Sequence, residues 1–489
     1  MKILSEFHKT YNTEDNRRIV SLPRKPLVTP LPTNKIIAEN RFHSLQKRLA
    51  SSDVLKTQYD KCMLNYIEQK HVEVCSIDES NEKPVYYLPH HAVRKKTQSE
   101  TKWRIVFDAS SHAPGMISLN DTLEAGPNLL PESIGCLLRF RLHEFAVTCD
   151  GKQAFLQLSL HKEDRDVTKF FWYKLKSDSS QPTTFTDEIT VYRFTRRLPF
   201  GLTCSPFLLC AATRELAAKH IAEFPIAAPM IDKHLYMDDF LASMETESRI
   251  IMLYHEIKNL MALMKLPMEK WATNSLKLKD VLQTHEESHK TETTVLGIGW
   301  NTNSDTLKHI IQDFHTWILG IKWDELLPAN LSTLWYAAVK ELDDICSLQI
   351  PRCIGISSHV PFAIHVFCDA SERAYGSVLY IVTFKGDQSN VNLVCSRNKT
   401  SSYKESYLTL PRLELLAALM GARLLQYFCA ENNICSSNAT LWSDSQVVLG
   451  WIRSDPNKWK TFVSNRVTEI ISYTNPSQWR HMPWQRQSS

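Results

Sequence analysis

Short apolar runs that stop on a carboxylate organise this chain. Residues 144–149 read Glu-Phe-Ala-Val-Thr-Cys, an apolar, β-branched run that predicts a buried strand delivering Asp150 at its end. Residues 234–241 place Asp238 and Asp239 between short apolar flanks and predict a tight β-hairpin. The pattern starts afresh downstream, with a predicted strand over residues 364–368 ending in Asp369 and a second over 376–382. Over residues 412–427, Leu413, Leu416, Ala417, Met420, Leu424 and Tyr427 recur at helical spacing, with Glu414 beside that stripe near the helix start. Residues 439–443 predict another strand, which terminates in Asp444. Residues 37–70 are polar and helical in pattern, 207–216 have helix-forming composition, and the proline-rich 21–32 predict an extended linker or wrapping arm. No internal repeat is present.

The 489 residues suffice for two to four domains, and 43% apolar residues is ordinary for a globular chain. No run approaches the roughly 18 consecutive apolar residues of a membrane span, and the N-terminus has no signal-like apolar block. The expectation is an intracellular, cytoplasmic protein without a membrane partner. Twelve cysteines without a Cys-x-x-Cys pair argue against a disulfide framework or a structural zinc site and suit core filling. The net charge of +4, from 57 basic and 53 acidic residues, permits a polyanionic partner without demanding one. Local clusters say more. Arg94-Lys95-Lys96 and Lys102-Trp103-Arg104 mix cations with an aromatic just before a predicted strand, which suits phosphate and base contacts; a solvated loop is the competing reading.

Adjacent aspartates on a strand-like segment are costly unless cations neutralise them, although an exposed Asp-Asp turn is the alternative for the pair alone. Two strands that carry Asp150 and Asp238/Asp239 into one cleft would make a cradle for two-metal nucleotidyl transfer. Oxygen ligands on a metal that also binds substrate phosphates point to Mg²⁺.

Read in order, these segments resemble the reverse transcriptases of BEL/Pao-type long-terminal-repeat retrotransposons. The resemblance is carried by residues 87–93 and 101–110, Leu119-Asn120-Asp121, Gly126-Pro127, the Asp150 strand, residues 198–207, Tyr236-Met237-Asp238-Asp239, 268–274 and 295–300. It implies an α+β polymerase right hand of fingers and palm, followed by an α/β RNase H-like domain. It implies that Asp150, Asp238 and Asp239 hold two Mg²⁺ ions, and that Lys102 and Arg104 grip the incoming triphosphate. Phe155 matches the steric gate under the sugar, with a core aromatic as the alternative. Phe200, Gly201, Tyr236 and Met237 match nucleotide- and template-contacting positions. Lys270 matches a general acid for departing pyrophosphate, against a surface lysine at a helix edge.

Asp369, Glu414 and Asp444 resemble the RNase H carboxylates that hold two metal ions to cleave RNA in a hybrid. Relatives add a late carboxylate after a phrase like Trp479-Arg480-His481, and this chain has no aspartate after Asp455. Weak or absent hybrid cleavage is therefore expected. The implied organisation is a lead-in over 1–80, fingers and palm over 81–300, a shortened thumb or connection over 301–360, and a C-terminally truncated RNase H-like domain over 361–489. The implied partners are an RNA template, a DNA primer, an RNA/DNA hybrid and deoxynucleoside triphosphates, with oligomeric state undetermined. The chain resembles the middle of a larger polyprotein, housed in a virus-like particle if the element is intact. The alternative is a decayed or co-opted element fragment that binds nucleic acid without efficient catalysis.

Overall fold

The computed structural model describes residues 2–14, 17–26, 31–75, 84–96, 101–176, 184–194, 198–199, 201–309, 349–400 and 408–482. Phe200, the side chain of Lys102, residues 310–348 of the expected connection and residues 483–489 lie outside the described residues. The chain forms two compact units, and its path crosses between them repeatedly. One comprises Met1–Leu130, Gly151–Asp238 and His255–Met268; the other comprises Pro131–Asp150, Asp239–Tyr254 and Glu269–Ser489.

In the first unit, the helical pattern of 37–70 resolves into two helices, Lys35–Ala50 and Asp53–Glu68. They separate at Ser52, whose side chain accepts from the Leu55 N–H and so caps the second helix. Lys102-Trp103-Arg104 does not precede a strand but lies inside one, Thr101–Phe107, paired antiparallel with His90–Lys96. The reason is alternation: Ile105 and Phe107 are buried, Trp103 is half-buried on the same side of the pleat, and Arg104 is exposed between them. The helix expected at 207–216 runs Ser205–Lys219, with Pro206 in its first turn, where the missing N–H costs nothing.

In the second unit, α1 (Ser133–Leu142) leads into β1 (Phe145–Gly151), which lies between β2 (Asp239–Met244) and β3 (Met268–Thr273). Four further strands, β4 (Glu292–Val295), β5 (Ile298–Asn301), β6 (Thr306–His309) and β7 (Gln349–Pro351), form an antiparallel sheet in chain order. Phe140 of α1, Ala146, Leu241, Ala272, Trp300 and Leu307 make one core beneath these strands.

A five-stranded mixed sheet follows. Strands β8 (Phe362–Ala370), β9 (Ala374–Lys385) and β10 (Gln388–Thr400) are antiparallel; helix α2 (Leu410–Asn432) then crosses to β11 (Ala439–Ser443), parallel to β8. Helices α3 (Gln446–Arg453) and α4 (Thr461–Tyr473) precede the edge strand β12 (Trp479–His481), giving the order β10-β9-β8-β11-β12. Helix α2 is long and apolar enough to cross a membrane by composition, yet it sits mostly buried as the core helix of this sheet.

The predicted stripe on α2 is only partly its buried face. Leu413 and Ala417 are buried, but Leu416, Met420, Leu424 and Tyr427 are half-buried, whereas Leu415, Ala418, Ala422, Leu425 and Phe428 are fully buried. The helix packs on β8 and β9 on one side and on α4 and α1 elsewhere, so spacing alone does not single out a face. Gly421 sets the closeness of that packing: a Cβ there would lie 2.3 Å from the Cys368 Sγ on β8.

Candidate active sites

Two carboxylate-bearing centres emerge, each built from strands that carry aspartate at or beside one end. At the first, Ala146, Val147 and Cys149 anchor β1 in the core, and Asp150 emerges half-exposed at its end. Strand β2 runs antiparallel to β1 in a register that sets Asp239 directly opposite Asp150. Met237, at φ +58, makes the left-handed turn before β2, with Asp238 between them. The Asp238 carbonyl accepts from the Gly151 N–H at 2.7 Å. Lys270 on β3, itself at φ +55, forms an ion pair with the Asp150 carboxylate. Carboxylate oxygens suit a hard divalent cation, and here the Lys270 ammonium occupies the Asp150 carboxylate; among the described residues the three aspartates are not gathered into one set of converging ligand oxygens.

Residues without a sequence-level role hold this centre together. Asn274 accepts from the Ala146 N–H at 2.8 Å through Oδ1 and donates to the Glu144 carbonyl at 2.8 Å through Nδ2. Thr273 Oγ1 donates to the Ala146 carbonyl at 2.7 Å. Together they fix the first residues of β1. Both lie in the 268–274 segment that carries the resemblance, but an Asn after a Thr at the end of a strand does not by itself reveal what they bind.

Of the other predicted site residues, Arg104 is exposed on its strand, Phe155 is half-buried in the 3₁₀ turn Ala154–Gln157, and Tyr236 ends the two-residue strand Leu235–Tyr236. Gly201 has φ +106, and a Cβ on it would fall 2.0 Å from the Phe107 carbonyl oxygen, so this turn admits only glycine. Asn120 clamps the same turn. Its Nδ2 donates to the Gly201 carbonyl at 3.0 Å and its Oδ1 accepts from the Thr203 N–H at 3.0 Å.

At the second centre, Asp369 closes β8, Asp444 follows β11 and Glu414 stands in the first turns of α2. The parallel pairing of Cys368 with Ser443 brings the two aspartates side by side. One oxygen from each of the three carboxylates lies within 4.8 Å of the others. Glu414 Oε2 and Asp444 Oδ1 are buried without a hydrogen-bond partner. Burial, then repulsion from Asp444 and Asp369, pushes the Glu414 carboxyl up to about 8; burial and Asp444 raise Asp369 as well. Buried, mutually repelling oxygens without donors fit a divalent cation. Glu469 on α4 stands apart, held by two bonds of 2.7 and 2.9 Å from Arg423.

Comparison with known proteins matches this geometry in order. Residues 88–299 match the reverse transcriptase (RNA-dependent DNA polymerase) family, and residues 305–445 match the Pao retrotransposon-like RNaseH-like domain. A foamy viral protease-reverse transcriptase, solved with double-stranded DNA, aligns with a TM-score of 0.53 at 15% identity, covering 100% of this chain and 78% of that one. The foamy viral protein solved with an RNA/DNA hybrid gives 0.51 at 15% identity, covering 100% and 60%. A further double-stranded DNA complex gives 0.52 at 15% identity, covering 100% and 93%. At this identity the structures establish the fold alone. No curated protein matches the sequence. The family matches identify a reverse transcriptase domain over residues 88–299 followed by an RNase H-like domain over 305–445, in the order in which the two carboxylate centres occur. Within that class, the match of residues 305–445 to the Pao retrotransposon-like model makes the chain similar to the reverse transcriptase and RNase H-like region of BEL/Pao-type elements. Domains of both kinds use divalent metals.

Proposed function

We propose that this chain copies an RNA template into DNA by extending a DNA primer with deoxynucleoside triphosphates, and that Mg²⁺ is its metal. The observation that carries the reading is the register that puts Asp239 opposite Asp150, with Asp238 adjoining at the turn. Bound there, two Mg²⁺ ions would activate the attacking primer 3′-oxygen and steady the departing pyrophosphate. Lys102 and Arg104 would grip the triphosphate, Phe155 would exclude a 2′-hydroxyl, and Phe200, Gly201, Tyr236 and Met237 would line the nucleotide and template. Lys270, already ion-paired at Asp150, would donate the proton to pyrophosphate. The foamy viral relatives were solved with double-stranded DNA or an RNA/DNA hybrid, which supports a nucleic-acid duplex as the partner. Primer extension on an RNA template tests the assignment. Asp150→Asn, Asp238→Asn and Asp239→Asn are each expected to slow it by about 10²–10³-fold, the scale of losing one group that stabilises developing charge; extension at the wild-type rate would remove that residue from the centre.

The RNase H-like carboxylates Asp369, Glu414 and Asp444 are proposed to hold Mg²⁺ as well. Because Arg423 engages Glu469 and no further carboxylate joins the three among the described residues, hybrid cleavage is proposed to be weak. Efficient Mg²⁺-dependent RNA degradation in a hybrid, abolished by Asp444→Asn, would overturn this.

A further inference from the structure

The strand that delivers Asp150 is tied down by a side chain from outside the segment matched as reverse transcriptase. Arg352 follows β7 and is completely buried. A guanidinium has five N–H donors in a fixed fork, and Arg352 uses all five. Nε donates to Asp305 Oδ1 at 2.7 Å, and Nη2 donates to Asp305 Oδ2 at 2.8 Å and to the Glu144 carbonyl at 2.5 Å. Nη1 donates to the carbonyls of Phe140 at 2.7 Å and His143 at 2.9 Å.

Those three carbonyls mark a vulnerable stretch of backbone. A helix leaves its last carbonyls without intrahelical donors; Phe140 is in the final turn of α1, His143 caps that helix, and Glu144 leads directly into β1. Arg352 therefore satisfies the helix end, neutralises its partial negative charge and fixes the path into the strand that ends on Asp150. Ser243 on β2 completes the cap, donating to the Arg139 carbonyl at 2.7 Å and accepting from the His143 N–H at 3.1 Å.

The grip is reciprocal. Arg141, in the last turn of α1, donates through Nε to the Arg352 carbonyl at 3.1 Å, and through Nη1 and Nη2 to the β10 carbonyls of Val394 at 2.5 Å and Leu393 at 2.7 Å. The Ile354 N–H returns a 2.9 Å bond to the Arg141 carbonyl. Asp305, Arg352, Leu393 and Val394 all belong to the segment matched as the Pao-type domain, residues 305–445.

We infer that Arg352 is a positioning residue for the polymerase centre, through which the RNase H-like part of the chain holds the α1–β1 junction and hence the Asp150 strand. The inference rests on the proposed polymerase role of Asp150. Lysine cannot substitute, because three donors on a flexible stem cannot serve a carboxylate and three carbonyls at once.

Arg352→Met and Arg352→Lys in the full chain are expected to lower kcat for primer extension by about tenfold or more while leaving KM for nucleotide within about twofold, as a misplaced ligand strand predicts. Amide exchange over residues 144–150 should accelerate by about tenfold in the same variants, with β8 and β11 unchanged. Asp305→Asn, which keeps the carbonyl bonds, should give a smaller change in both readouts. Wild-type kcat together with wild-type exchange at 144–150 in Arg352→Met overturns the inference.

If Arg352→Met does not fold, a protease site inserted within residues 310–348 decides the matter. After cleavage the two pieces are expected to co-elute and keep extending primers; pieces that separate while the N-terminal one stays active overturn the inference. A wild-type chain that extends no primer removes the polymerase reading, and the exchange and co-elution measurements still judge the clasp.

Discussion

His90 is buried in the first unit, its Nε2 donating to the Phe171 carbonyl at 2.9 Å and its Nδ1 accepting from the Tyr59 hydroxyl at 2.5 Å. Burial lowers its pKa from 6.5 to about 4. Below pH 6.5 the unfolded chain takes up a proton that the folded chain refuses until about pH 4, so stability falls with pH across that window. The loss is at most roughly 3 kcal/mol by linkage. Urea denaturation at pH 7.5 and 4.5 should show a steeper loss in the wild type than in His90→Gln; identical slopes would exclude His90 as the source. Chemistry at single residues was unevenly legible. An aspartate closing a strand announces itself by the apolar run before it, as Asp150, Asp369 and Asp444 all do. Asn120 and Asn274 fall in segments that carry the resemblance, but they and Arg352 bond mainly to backbone carbonyls and amides of distant segments, so their neighbours in sequence do not reveal their partners.

Helix α2 both fills the core of the RNase H-like sheet and carries Glu414 to the aspartates of β8 and β11. Its seat depends on Gly421, where a Cβ would collide with Cys368 on the strand that ends in Asp369. Gly421→Ala is expected to push helix from strand at a cost of about 1–3 kcal/mol, the range for overpacking, and to weaken cation binding at Glu414 by the same displacement. Thermal melts with and without Mg²⁺ would measure both, and a melt unchanged in either condition would contradict the packing argument. Element existence was legible here, but orientation was not. The sequence pattern located this helix and its neighbouring strands, yet placed Leu416, Met420, Leu424 and Tyr427 in a core that belongs more to Leu415, Ala418, Ala422, Leu425 and Phe428. A helix packed on several sides loses the contrast between faces from which periodicity is read.

At the scale of the molecule, the order of polymerase and RNase H-like parts followed from the order of their carboxylates, and the family matches place both parts in that order. The repeated crossing of the chain between two compact units did not, because long-range closure leaves no local pattern. Metal binding should register on the whole chain. With Glu414 pushed up to about 8 and partnerless oxygens on Glu414 and Asp444, the cation-free centre favours a proton on Glu414 that Mg²⁺ would displace. Saturating Mg²⁺ after chelation is expected to stabilise the fold by mass action, about 2.7 kcal/mol at a hundred times Kd. Glu414→Gln should lose most of the shift in β8 and β11 amide exchange; an equal shift in the variant would exclude Glu414 as a ligand.

The Arg352 clasp also bears on how such elements exchange parts. Apart from Asp305, its partners are main-chain carbonyls, so the side chains at His143 and Glu144 can drift through mutation without touching it. Recombination joining the polymerase of one element to the following domain of another, at a breakpoint between residues 299 and 305, would transmit Asp305 and Arg352 as a pair. That pair could seat on any palm with the same backbone path. A breakpoint between Asp305 and Arg352 would part them, leaving one lineage a buried cation and the other its orphaned anion.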